Sequence, residues 1–120
     1  LVERLLGARV PVFVDKPLAD SHAEAVRLAD LADRGGTPLF VGFNRRYAPV
    51  YAALRDRPRT LVQMEKHRRG PLHPPRRTVF DDFIHVVDTV RYLSPDRAEV
   101  SAIETAAHAG GLEAVTLVLA

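Results

Sequence analysis

Two short runs of β-branched and aromatic residues, separated by one amphipathic helix, restrict the possible folds of this chain most. Residues 10–14 read Val-Pro-Val-Phe-Val and residues 38–43 read Pro-Leu-Phe-Val-Gly-Phe, a composition typical of strands buried on both faces of a parallel sheet. Between them, Ser21 and Glu24 form a capping box at the start of a helix that Gly36 ends. Strand, helix and strand with short connections predict a right-handed βαβ unit.

Two charged residues and a proline follow the first of these strands directly. The carboxyl ends of parallel strands are the places where open α/β sheets bind ligands. Pro17 has a fixed φ and keeps Lys16 out of the helical region, so the backbone directs the Lys16 side chain. An ordinary polar connection between strand and helix is the alternative, and the residues alone leave both open.

A second helix is predicted over residues 81–93, because apolar residues recur there every three to four positions. On a regular helix, Asp81, His85 and Asp88 fall within about 60° of one another. A carboxylate one turn before an imidazole orients the ring and raises its basicity, which suits proton transfer. The alternative is a capped helix, in which Asp81 satisfies free N–H groups and His85 is a hydrogen-bonded core histidine.

The second half of the chain contains three predicted strands, at residues 60–66, 100–106 and 114–120. The proline- and arginine-rich residues 67–78 predict a loop. Composition changes within residues 44–58, and we place a domain boundary there. The side chains that share one face of the first strand are Gln63, Glu65 and His67.

Composition excludes several classes of protein. The sequence has no cysteine, which removes disulfides and thiolate zinc sites and fits a cytoplasmic protein. No apolar run approaches the roughly 18 residues of a membrane helix. The first residue is Leu1, and residues 114–120 stop inside an apparent strand, so we expect a fragment of a longer polypeptide.

Positive charge is concentrated in the middle of the chain. Residues 44–77 contain ten Lys and Arg residues but only Asp56 and Glu65 as acids, so this region attracts anions or forms a solvated surface. The anion could belong to nucleic acid, to a phosphorylated cofactor or to an acidic substrate. Prolines between the arginines, and few aromatic residues to stack bases, argue against nucleic acid.

Three motifs in this order resemble the middle portion of the Gfo/Idh/MocA family of NAD(P)-dependent oxidoreductases. Residues 12–17, Val-Phe-Val-Asp-Lys-Pro, resemble the strand that the family follows with Glu-Lys-Pro. Residues 41–47, Val-Gly-Phe-Asn-Arg-Arg-Tyr, resemble its Gly-Phe-x-x-Arg-aromatic crossover, and residues 81–88 resemble its Asp-x-x-x-His helix. The chain departs from the family in having Asp15 instead of glutamate and in lacking the Gly-x-Gly-x-x-Gly dinucleotide fingerprint.

The resemblance implies an α/β fold: the C-terminal part of a Rossmann-like domain in residues 1–50, then the start of an α+β open-sheet domain in residues 51–120 for substrate binding and dimerisation. It implies hydride transfer between NAD or NADP and a hydroxyl or carbonyl of a sugar, polyol or related small molecule. We expect a homo-oligomer through the C-terminal sheet, with no nucleic-acid or membrane partner. The alternative is a non-catalytic member or remnant of the same fold that acts as a dimerisation or interaction module.

The resemblance also implies roles for individual residues. Lys16 would hydrogen-bond the substrate oxygen, His85 would act as the general base, and Asp81 would orient His85. Pro17 resembles a family proline that is often cis, and Asp88 is expected to be structural. The residues expected at the cofactor are Asp15, Lys16, Pro17, Asn44 and Arg45.

A metal-dependent hydrolase is a further alternative. Its ligands would come from the histidines and Asp81, but their spacing matches no standard metal site. We therefore predict no metal. The residues considered for this site are His67, His73, Asp81 and His85.

Overall fold

The computed structural model describes residues 1–67, 71–94, 99–109 and 111–119. The chain divides into two compact units, Leu1–Phe43 and Asn44–Ala120. No helix among the described residues is long and apolar enough to cross a membrane.

The first unit is a strand–helix–strand arrangement preceded by a short helix. Its two strands pair in parallel, with Val12 opposite Leu39, which confirms the parallel pairing of the predicted βαβ unit. The Oγ atom of Ser21 accepts a hydrogen bond of 3.2 Å from the backbone N–H of Glu24, and Gly36 ends the helix at φ 60°, as the capping signals predict. The elements are α1 (Val2–Gly7), β1 (Val12–Val14), α2 (His22–Gly35) and β2 (Leu39–Val41).

Only one face of this strand pair is packed. Leu6 of α1 and Leu28 of α2 are buried with Val12 in a single cluster. Phe13 and Phe40 lie opposite each other in the pair and are 73% and 55% exposed. The expectation that both faces are buried is therefore wrong for the described residues. The helices α1 and α2 cover the face with Val12, and the side chains that alternate with it, such as Phe13, lie on the uncovered face.

The second unit begins with the 3-10 turn Asn44–Tyr47 and ends with an antiparallel hairpin. The two C-terminal strands are confirmed, and both are longer than predicted. The helix expected over 81–93 starts earlier, because a helical turn and a π-helical turn, Thr78–Phe83, precede its regular part. The labelled elements are α3 (Pro49–Arg55), α4 (Pro75–Arg77), α5 (Ile84–Leu93), β3 (Val100–His108) and β4 (Gly111–Leu119).

The strand predicted at 60–66 is not part of either sheet. Its side chains nevertheless alternate in exposure along the segment, as they do on an extended chain. Gln63 donates a hydrogen bond of 2.7 Å to Glu65, and the His67 ring lies 3.0 Å from Glu65, so these three share a face as predicted. The predicted alternation of side chains is confirmed, but the prediction of a sheet strand at 60–66 is wrong. Residues 68–70 of the predicted loop lie outside the described residues.

The start of the hairpin packs tightly on the segment before α4. The backbone N–H of Leu112 donates a hydrogen bond of 3.0 Å to the carbonyl of His73. A Cβ atom added at Gly111 would lie 2.4 Å from Cβ of Leu72, well inside van der Waals contact. Glycine at this position therefore permits the close approach of the two segments.

Candidate active site

The predicted site residues lie on three segments, one in the first unit and two in the second. Asp15, Lys16 and Pro17 follow β1. The other two segments are the 3-10 turn, with Asn44 and Arg45, and the helical stretch that carries the Asp-x-x-x-His motif. Each segment has its own local geometry.

At the carboxyl end of β1, the backbone is held by its own acidic side chain. The Oδ1 atom of Asp15 accepts a hydrogen bond of 2.8 Å from the backbone N–H of Lys16. The peptide bond between Lys16 and Pro17 is cis, as the resemblance implied. Lys16 itself is half-buried.

Gly42, to which the sequence analysis assigned no role, lies beside this segment. Its N–H donates a hydrogen bond of 2.8 Å to the carbonyl of Val14. A Cβ atom at position 42 would lie 3.3 Å from Oδ1 of Asp15 and 3.3 Å from the Val14 carbonyl oxygen. The absence of a side chain at Gly42 thus permits the close approach of Asp15 and the Val14 carbonyl where the two parallel strands end.

The 3-10 turn presents an arginine with unused hydrogen-bonding capacity. Nη1 of Arg45 is buried and has no hydrogen-bond partner among the described residues. A buried N–H group of a guanidinium without a partner is costly, and an anionic oxygen would satisfy it. Asn44, directly before it, is exposed.

The motif helix differs from the regular helix assumed for the wheel argument. Asp81 lies in the π-helical turn, where hydrogen bonds reach five residues back, whereas His85 lies in the α-helical part. The rotation of about 100° per residue assumed in the wheel argument therefore does not apply across Asp81. Asp81 is exposed and 3.5 Å from Nε of Arg77. His85 is half-buried, and its carbonyl accepts a hydrogen bond of 2.7 Å from Oγ1 of Thr89.

Arg46 and Asp88 form an ion pair that the sequence did not reveal. Nε of Arg46 donates hydrogen bonds of 3.0 Å to both carboxylate oxygens of Asp88, and Nη2 also donates to Oδ1. The Asp88 side chain is only 7% exposed. The hydrogen bond from Arg46 to this carboxylate raises the guanidinium pKa further above its ordinary value. A structural role for Asp88 agrees with these contacts.

An aromatic ring supports the same arginine. The Arg46 guanidinium lies 5.7 Å from the ring centre of Tyr92, and that of Arg55 lies 5.3 Å from it. Both distances suit cation–π attraction. Tyr92 therefore joins the turn and α3 to the helix that carries Asp88.

A cavity of about 950 Å³ lies within the second unit. The extended segment 59–67, the apolar face of α5 and strand β4 enclose it. Nζ of Lys66 donates a hydrogen bond of 2.7 Å to Oδ1 of Asp82, and both side chains are about one-fifth exposed. The wall of the cavity is mixed: apolar side chains of α5 and β4 alternate with charged ones, which include this half-buried pair, Arg59, Glu65 and Glu113. Asp81 and His85 are not among the residues described as lining this cavity.

Much of the basic surplus is used inside the second unit. Arg46 and Lys66 each bind a carboxylate, and Arg59 donates to backbone carbonyls at the ends of two helices. Within residues 1–67, 71–94, 99–109 and 111–119, no group of three or more His, Asp or Glu side chains could hold a metal ion. This leaves the metal-dependent alternative without support from the described residues.

Comparison with proteins of known sequence gives consistent results. The family described as YceM-like, C-terminal domain, matches residues 49–111. YceM of Salmonella typhimurium is 45% identical over 106 residues, which cover 84% of this chain and 34% of YceM. Myo-inositol dehydrogenase Hyg17 of Streptomyces leeuwenhoekii is 38% identical over 108 residues, which cover 78% of this chain and 33% of that protein. The chain thus spans about a third of the length of these relatives.

Two solved structures share the fold. A dehydrogenase (MviM) from Clostridium difficile has a TM-score of 0.81 at 29% identity and covers 99% of this chain, which spans 41% of it. A Gfo/Idh/MocA family oxidoreductase from Vibrio cholerae has a TM-score of 0.74 at 32% identity, with 99% of this chain and 43% of that one covered. The fold is therefore the α/β fold of this class of oxidoreductase. The chain belongs to the Gfo/Idh/MocA family, with a YceM-like C-terminal domain at residues 49–111.

Proposed function

We propose that the full-length protein is an NAD(P)-dependent oxidoreductase that transfers hydride between nicotinamide and a hydroxyl or carbonyl of a sugar, polyol or related small molecule. The observation that carries this proposal is the position of Asp15 and Lys16 at the carboxyl end of β1, where Gly42 of the neighbouring chain segment lies close to Asp15. Open parallel sheets bind ligands at this edge. The name of the relative Hyg17, a myo-inositol dehydrogenase, supports a polyol as substrate.

The residues proposed to hold the cofactor fit such a group. A side chain at position 42 would crowd Asp15, so glycine leaves the Asp15 carboxylate its position, and the buried Nη1 atom of Arg45 suits an anionic oxygen. When bound, NAD or NADP supplies the nicotinamide ring that accepts or donates hydride. The residues proposed for binding are Asp15, Lys16, Pro17, Asn44 and Arg45.

Three side chains are proposed for the chemistry. The ammonium group of Lys16 hydrogen-bonds the reacting oxygen and stabilises the negative charge that develops on it. His85 accepts the hydroxyl proton as general base. Asp81 orients His85 and balances the charge of the imidazolium.

Substitution of Lys16 and His85 in the full-length protein tests this function. We expect Lys16→Ala and His85→Ala each to lower kcat/KM for polyol oxidation by about 10²- to 10⁴-fold. The matched control is His22→Ala, because His22 is an exposed residue at the start of α2 and has no proposed role. If Lys16→Ala and His85→Ala were both as active as the His22→Ala control and the wild type, these catalytic assignments would be excluded.

The second candidate is a non-catalytic protein of the same fold that associates through its C-terminal sheet. All described residues of β3 are exposed, and Val100 and Ile103 are large apolar side chains 59% and 62% exposed. Such a strand favours pairing with another surface, so we also propose a homo-oligomer through this sheet. We propose a cytoplasmic location, which the lack of cysteine fits.

Two measurements separate the candidates. Sedimentation of the full-length protein and of an Ile103→Lys variant reports on association through β3. A monomeric wild-type protein would contradict the oligomer. Absence of NAD(P)H formation with any polyol, together with stable association, would favour the non-catalytic candidate.

A further inference from the structure

The ion pair between Arg46 and Asp88 joins two segments that are far apart in sequence. Arg46 follows Asn44 and Arg45 on the 3-10 turn, whereas Asp88 lies on α5, one helical turn beyond His85. The pair therefore links the two segments of the second unit that carry proposed site residues.

The geometry of the pair restricts how the turn can lie on the helix. Arg46 contacts both oxygens of the Asp88 carboxylate, and a planar guanidinium makes such contacts in few orientations. The ring of Tyr92 lies beside the same guanidinium. Moving the turn along α5 would break these contacts and leave the buried carboxylate unpaired, at high cost.

Stability alone is a weak explanation for an ion pair whose carboxylate is buried while its guanidinium is 43% exposed. A neutral or apolar pair of similar volume often stabilises a protein as well or better, because burying charges costs desolvation energy. The pair differs from such a replacement in its directional contacts. These fix a register between the turn and the helix, which a less directional contact would leave free to shift.

We propose that Arg46 and Asp88 are positioning residues that hold the turn Asn44–Tyr47 in one register on α5, and thereby fix Arg45 relative to His85. The catalytic consequence rests on the proposed function. The fixed register does not rest on the proposed function, because it concerns contacts within the second unit only.

The test uses the full-length protein with Arg46→Gln, Asp88→Asn and the double substitution. Arg46→Gln removes the cation from the buried Asp88 carboxylate, which is only 7% exposed, so we expect Tm to fall by at least about 5 °C. Asp88→Asn leaves a guanidinium that is 43% exposed and that water can solvate, so we expect a smaller fall. In the double variant no buried charge remains unpaired, and we expect Tm to return to within about 2 °C of wild type. The control is Arg55→Gln, because Arg55 also lies beside Tyr92 but is not part of this ion pair.

Hydrogen exchange and kinetics of the double variant separate positioning from stability. The reporter is the Ala48 amide, which donates a hydrogen bond of 3.0 Å to the carbonyl of Arg45 and so closes the turn. We expect its exchange to be at least about tenfold faster than in wild type, and kcat to be at least about tenfold lower, although Tm is restored. Arg55→Gln should change neither.

Wild-type exchange at Ala48 in the double variant would overturn the proposal, whatever the single variants do. Recovery of kcat to the wild-type value together with Tm would also overturn it, since the pair would then contribute to stability only. If the wild-type protein itself transfers no hydride, the proposed function fails. The exchange measurement then still decides whether the pair fixes the turn.

Discussion

The Arg59 side chain caps the C-terminal ends of two helices, and its removal should measurably lower the stability of the second unit. Its Nη1 atom donates to the carbonyl of Leu93, the last residue of α5, and Nη2 donates to the carbonyls of Leu54 and Arg55 at the end of α3. The last carbonyls of a helix have no partner within it and carry its partial negative charge. The Arg59 guanidinium therefore donates to free carbonyls of both helices and balances the partial negative charge at their ends.

The expected loss follows from the burial of these contacts. The hydrogen bond to Leu93 is partly buried, and a charged hydrogen bond of this kind contributes about 1.5 kcal/mol. The two contacts at α3 are exposed, so solvent screening limits them to about 1 kcal/mol together. Arg59→Ala should therefore lower the free energy of unfolding by about 2.5 kcal/mol in total.

Urea unfolding followed by circular dichroism measures this loss. With a slope of about 1.5 kcal/mol per molar urea, the midpoint should fall by roughly 1.7 M. Arg59→Lys keeps the charge but not the fork, and should retain part of the stability. The control is Arg57→Ala, an exposed neighbour, with an expected change below about 0.5 kcal/mol. Equal losses for Arg59→Ala and Arg57→Ala would refute the reasoning.

Two further stability predictions concern a glycine contact and an exposed ion pair. Gly111→Ala should cost about 1 to 3 kcal/mol, because the new Cβ would overlap Leu72. Gly7→Ala, where nothing lies within 4 Å, should instead stabilise the chain by up to about 1 kcal/mol; the same urea titration compares them, and equal effects would contradict the contact. The hydrogen bond from Arg27 lowers the pKa of Glu24 below 4.5. A lowered folded-state pKa contributes stability that is present above pH 4.5 and lost as the pH falls through the folded-state value. Arg27→Gln should therefore lower the urea midpoint at pH 7 but not at about pH 2.5, and a difference that persists in acid would show that the contact is not electrostatic.

Local signals in the sequence predicted the first unit well. The capping box of Ser21 and Glu24 and the left-handed residue Gly36 involve only neighbours in the chain, and the structure contains both. Parallel pairing followed from the short connections on either side of α2. The exposure of Phe13 was missed, because the number of layers that cover a sheet depends on tertiary packing.

In the second unit, distant partners decide what the sequence left open. Residues 60–66 have the period of a strand, but a strand also needs an edge to pair with, and pairing cannot be read from period alone. Arg46 and Asp88 are each ordinary charged residues in the sequence. Only the fold brings them together, so their role as a pair was not predictable. Asn44 and Arg45 were proposed from family motifs alone, whereas Lys16, Asp81 and His85 were also indicated by local physics.

The π-helical turn Thr78–Phe83 has a consequence for alignment. In a π turn each hydrogen bond spans five residues, one more than in an α-helix, so the turn contains one extra residue. Related chains that lack this extra residue would have one position fewer between Arg77 and the α-helical part. A search that demands a fixed distance between residues on either side of this turn would overlook them, so a gap of one should be allowed at this point.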